Sequence, residues 1–137
     1  MSAAMTGTTT RERLIDAARQ CLLELGHQAS SVKAIAARAG VNHGLIHHYF
    51  GSKEHLWMAV IDREVERVRA ALEVPPERFM EGFYVPEMLR NPDRARLAAE
   101  FLGLAKAHAS ITAGLREQFR LNRQLLQRRL ALPDEPT

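Results

Sequence analysis

Cysteine is almost missing from this chain: Cys21 is the only one in 137 residues. One thiol excludes an intramolecular disulfide and makes a reducing cytoplasm the natural setting. Cys21 shares a helical face with Leu14, Ala18, Leu22 and Leu25. That placement predicts a small buried hydrophobe, not a redox centre. Long apolar runs are missing too, so no stretch is expected to span a membrane. The opening residues, MSAAMTGTTT, lack the basic start and apolar core of a secretory signal and read as a disordered arm. Aromatics contribute only 6%, while Leu, Ala and Arg are prominent. No segment alternates apolar and polar residues as a strand would, so the pattern is all-helical. The length suits one compact unit, or a small module with part of a second. A net charge of +3 is mildly basic and permits a polyanionic partner without requiring one.

The most informative stretch runs from Ser31 to Lys53, SVKAIAARAGVNHGLIHHYFGSK. Val32, Ile35, Ala36 and Ala39 form an apolar helical stripe, with Ser31 or Ser30 placed to cap its start. Gly40 follows where a left-handed backbone suits glycine best. Val41 turns inward and Asn42 can cap a second helix, which buries Ile46 and Phe50. His43, Gly44, His47 and His48 lie on its other side. Two helices joined by such a glycine-containing turn fit a helix-turn-helix, whose second helix enters the major groove of DNA.

Around this stretch the sequence predicts further helices. The first covers Thr10 to Leu25, with Thr10 as N-cap and Arg13 where a capping box would need Glu or Gln. Its inward face is Leu14, Ala18, Cys21, Leu22 and Leu25, and Gly26 ends it. A long helix capped by Ser52 carries Leu56, Trp57, Val60, Ile61, Val65, Val68 and Leu72 and stops at Val74-Pro75-Pro76. The stretch from Glu77 to Arg90 predicts short helical turns broken by Gly82 and Pro86. Asn91-Pro92-Asp93 is a strong helix start, followed by Leu97, Ala98, Phe101, Leu102, Leu104 and Ala105 over a wide apolar arc. A last helix from about Ile111 places Ile111, Leu115, Phe119, Asn122 and Leu126 on one face.

These residues bring a family into view. The segment from Thr10 to about Val60 resembles the N-terminal DNA-binding domain of the TetR family of bacterial transcription regulators. The resemblance rests on LIDAARQCLLELG, then on Ile35, Ala36, Ala39, Gly40 and Val41, then on Phe50, Ser52, Lys53, Glu54 and Leu56. It implies an all-α protein with a three-helix DNA-binding domain followed by a helical ligand-binding region. The implied division is an arm over 1–9, the DNA-binding domain over 10–56, an incomplete regulatory region over 57–132 and a loose tail over 133–137. By position, Lys33 would reach a base edge or phosphate. His43, Gly44 and Leu45 would lie against base edges, with His48 on the same exposed side. His47, Tyr49 and Lys53 would meet phosphates, and Ser31 and Asn42 would do so through the helix starts they cap. The family most often has tyrosine where His47 stands, which makes that contact pH-dependent. Family members usually dimerise through two further C-terminal helices. A homodimer is therefore the expected state of the full architecture, although such helices are not evident after Leu132.

Other readings compete with these. His43, His47 and His48 have a spacing that can bind a metal, but neither an H-E-x-x-H glutamate nor a third ligand accompanies them. Groove-facing histidines are the simpler account, and no cofactor is expected. Met80, Phe83, Tyr84, Met88, Phe101, Leu104 and His108 can line a small-molecule pocket, against the plainer reading as ordinary core. Arg116, Arg120, Arg123, Arg128 and Arg129 are either a second anion-binding surface or a solvated face. No nucleophile–base pair or nucleotide loop can be read, so an enzyme is not expected. Two functional classes remain. One is a DNA-binding repressor released by a small molecule. The other is a short DNA-binding or heterodimerising module without ligand response.

Overall fold

In the computed structural model, residues 8–72 and 91–130 are described. They form α1 (Thr10–Leu25), α2 (Val32–Ala39), α3 (Gly44–Phe50), α4 (Lys53–Leu72), α5 (Pro92–Ala107) and α6 (Ala109–Leu130), with no strand among them. The predicted turns between Glu77 and Arg90 lie outside the described residues.

Helix α1 is the central element. It packs against α2, α4 and α5, so it buries more than one stripe: Leu14, Ile15, Ala17, Ala18, Cys21, Leu22 and Leu23. Burial pushes the Cys21 thiol above its ordinary pKa, in keeping with its placement as a core residue. The cap of α1 lies one residue earlier than the sequence predicts. Thr9 Oγ1 accepts from the Glu12 N–H at 3.1 Å, and Glu12 reaches back to the Thr9 N–H, which completes a capping box. Leu25, placed on the inward face, is 52% exposed in the last turn. A position on an apolar face is covered only where a neighbouring helix extends that far.

Helix α4 contributes Leu56, Trp57, Val60 and Ile61, all fully buried. Ser52 caps it by accepting from the His55 N–H at 3.1 Å. Asn91 caps α5 through the Asp93 N–H, with Pro92 in the first turn. Helix α6 starts at Ala109, slightly before the predicted Ile111, and packs on α4 and α5 through Ile111 and Leu115. Leu102, on the wide apolar arc, is 60% exposed, and Phe119, on the expected face of Ile111 and Leu115, is 63% exposed. The buried stripe of α5 follows Leu97 and Leu104, which leaves Leu102 off to one side. Beyond Leu115, Gln118 of α6 donates to Asp62 of α4 at 2.9 Å, and its neighbour Phe119 is exposed.

One hydrophobic cluster joins all six helices, from Leu14 and Ile35 through Ile46 and Trp57 to Leu97, Leu104, Ile111 and Leu115. Leu56 and Trp57, on either side of the division expected from the resemblance, both belong to it. Polar ties reinforce the packing of α1. Arg19 pairs with Glu64 of α4 at 2.7 Å, and Arg63 with Asp16 at 2.6 Å. Arg13 donates to the Ala39 carbonyl at 2.6 Å and so closes the C-terminal end of α2 with a cation.

Candidate nucleic-acid interface

The reading unit is α2, its turn and α3. Ser31 Oγ accepts from the Ala34 N–H at 3.0 Å, which fixes the first turn of α2. The chain leaves α2 through Gly40, whose φ of 70° is left-handed. The Gly40 and Val41 N–H groups turn back onto the carbonyls of Ala37 and Ala36. Asn42 Oδ1 then accepts from the Gly44 N–H at 2.9 Å and opens α3, as its placement predicts. The ring of His43 takes no part in capping and stays exposed.

On α3 only Ile46 is fully buried, while Leu45 and Phe50 pack partly against the core. Gly44, His47, His48 and Tyr49 are exposed. His48 and Tyr49 meet edge to face at 5.0 Å between ring centroids. Asn42, His43, Gly44, His47, His48 and Tyr49 thus form one short stretch of exposed groups, while Lys33 and Ser31 are exposed on α2. Leu45 is divided between the core and the surface, so only part of it can meet a ligand.

Lys53, at the start of α4, is half-buried. Its Nζ sits 5.7 Å from the centroid of the Trp57 ring, and burial pushes the ammonium below its ordinary pKa. Arg11 was not singled out in the sequence. Its guanidinium lies 5.2 Å from the Phe50 ring, which brings a cation of α1 beside the end of α3. A contact between residues so far apart in sequence leaves no periodic signal.

On either side of the reading unit, two carboxylates link the start of α4 and the turn before α2 to the later helices. Glu54 of α4 accepts from Ser110 Oγ at 2.6 Å and lies 3.1 Å from His108 Nδ1. The Ser110 bond, aided by His108, holds its carboxyl below the usual value. Glu100 of α5 accepts from the His27 backbone N–H and from His27 Nδ1, each at 2.8 Å. Burial alone would raise the Glu100 pKa, but the His27 bonds outweigh it and hold it below the usual value. Neither carboxylate was picked out as part of a tertiary link from the sequence.

The seven candidate pocket residues divide. Met80, Phe83, Tyr84 and Met88 lie outside the described residues. Leu104 is core, Phe101 packs against the core, and His108 faces Glu54. Among the described residues no cluster of three or more His, Cys, Asp or Glu side chains could hold a metal ion. No helix among them is long and apolar enough to cross a membrane.

This arrangement defines a helix-turn-helix protein: a capped supporting helix, a glycine turn and a short second helix whose polar side is left open. Residues 14–60 match the model described as bacterial regulatory proteins, tetR family. Over those residues the chain is similar to the DNA-binding part of that family. The transcriptional repressor KstR of Mycolicibacterium smegmatis is 38% identical over 91 residues, covering 60% of this chain and 45% of that protein. The transcriptional regulator UidR of Escherichia coli K12 is 38% identical over 68 residues, covering 50% of this chain and 35% of that protein. The chain spans less than half the length of these curated relatives. A TetR transcription regulator from Haloarcula marismortui shares the fold at a TM-score of 0.75 and 20% identity, over 90% of this chain and 69% of that one. Salmonella enterica GusR matches at 0.72 and 26% identity, over 88% of this chain and 65% of that one.

Proposed function

We propose that this protein is a cytoplasmic, sequence-specific DNA-binding transcriptional regulator, a repressor released by a small molecule. The observation that carries the reading is the open side of α3, where His43, Gly44, His47, His48 and Tyr49 are exposed. His43 donates to or accepts from a base edge, Gly44 lets the backbone come close, and the free part of Leu45 meets a thymine methyl. His47, Tyr49 and Lys53 meet phosphates, as do the helix starts at Ser31 and Asn42, while Lys33 reaches a base or phosphate. His48 sits beside Tyr49 at the edge of the footprint. The names of the relatives support a regulator. A homodimer would set two copies of α3 about 34 Å apart, one DNA turn. The effector would bind among the later helices and favour an arrangement with the reading heads out of register.

Selection of bound sequences from a random DNA pool, with the protein's mass measured in the same buffer, tests this. An enriched palindrome bound by a dimer is the expected result. Absence of enrichment under dimeric conditions overturns the reading. Weak binding by a monomer would favour the second reading, a module that binds DNA or pairs with a relative without ligand control.

A further inference from the structure

The turn between α1 and α2 is closed from two directions. From within, the buried Ser30 donates its hydroxyl to the Gly26 carbonyl at 2.6 Å. From outside, a single oxygen of Glu100 accepts from both the backbone and the ring of His27. A carboxylate only accepts, so His27 carries a proton on Nδ1. The structure makes room for both partners. Gly26 has a φ of +78°, and a Cβ there would stand 3.4 Å from Glu100 Oε1. A Cβ at Gly103 would come within 2.6 Å of the His27 ring, closer than any real contact. Gly103 is therefore a seat for the ring on α5. Ser31, which caps α2, follows this turn directly.

We propose that Glu100 is a positioning residue for DNA binding, joining α5 to the start of α2 by a route that does not pass through α4. The proposal rests on the reading of Ser31 and Lys33 as DNA-facing. A helix start bonds a phosphate only within hydrogen-bond distance, so a small displacement of this turn removes the contact. Glu100 fixes the turn by its two bonds, and Gly103 fixes the ring that makes one of them. Whatever shifts α5 along its axis carries the first turn of α2 with it.

The test uses the full chain and duplex DNA enriched from the random pool. Two readouts are taken where all variants remain folded: affinity for that duplex and amide hydrogen exchange over residues 28–35. Glu100→Ala is expected to speed exchange there and to weaken binding about tenfold, the scale of one charge-assisted hydrogen bond. Glu100→Gln keeps an accepting oxygen and should stay within about threefold of the parent. Gly103→Ala gives a readout of opposite sign. Alanine favours a helix, so it should stabilise α5 in the His27→Ala background and destabilise the parent, where the ring is in the way. The same sign in both backgrounds overturns the seat. Faster exchange with unchanged affinity overturns the positioning role. Unchanged exchange in Glu100→Ala overturns the joint itself, even if the parent binds no DNA and the regulator reading fails separately.

Discussion

Replacing Lys53 by alanine tests the interface through its salt dependence. Lys53 is held in place on the structure's side: its aliphatic stem is half-buried and its ammonium lies over Trp57. A cation neutralising one phosphate contributes about 0.9 to the slope of log affinity against log salt. Raising salt from about 50 to about 200 mM should therefore cost the parent about 3.5-fold more affinity per site than Lys53→Ala. If two copies bind one operator, the difference becomes about twelvefold. Loss of folding does not confuse the result. A partly exposed cation over a ring contributes about 0.5–1 kcal/mol, and Trp57 stays in the core. Trp57 is also the only tryptophan, so its fluorescence reports unfolding of the same variant in the same cuvette. Binding is read by anisotropy of a labelled duplex across the salt series, on selected and on random DNA. Equal slopes for parent and variant would refute the phosphate assignment.

Three further predictions follow from particular groups. His43→Ala should relax preference at one or two base pairs while leaving the salt slope unchanged, read by repeating the pool selection. Gly40→Ala should destabilise the fold by about 1 kcal/mol in urea titrations. That figure is the left-handed penalty for a residue with a Cβ, partly offset by a less flexible unfolded chain. Glu100 is held below its ordinary pKa by His27, so its contribution to stability is complete above the unfolded carboxylate value and is lost as pH falls through the folded one. Thermal midpoints of parent and Glu100→Gln should therefore converge on acidification below about pH 4.3. A gap that widens there would contradict the sign.

What the sequence revealed and what it hid differ in physical range. Ser31, Gly40, Asn42, Ser52 and Asn91 act on groups a few positions away, so their roles could be read from local order alone. The cap of α1 was misplaced by one residue because adjacent threonines both carry a suitable hydroxyl. The reach of Glu12 back to the Thr9 N–H decides between them. Leu102 and Phe119 share apolar faces with buried residues yet stand exposed, because a helical stripe states which residues share a face, not how wide a face its neighbours cover. The Glu100–His27 link spans 73 positions and involves two residues that look unremarkable in sequence, so only the packing of α5 on α1 reveals it. Arg11 beside Phe50 is hidden for the same reason.

The shared core has a consequence for exchanging parts between relatives. A chimaera that takes its reading head from one protein and its later helices from another must be joined somewhere in α4. A junction beyond Ile61 divides one buried cluster: Trp57 and Ile61 on one side, Leu97, Leu104, Ile111 and Leu115 on the other. A transplanted head would carry its DNA preference but meet a mould cast for different side chains. The unit that can be moved intact is the head together with the apolar lining of α5 and α6, along with Glu100, Gly103 and Ser110. Heads and bodies in this architecture are therefore expected to change in step, with substitutions in one answered by substitutions in the other.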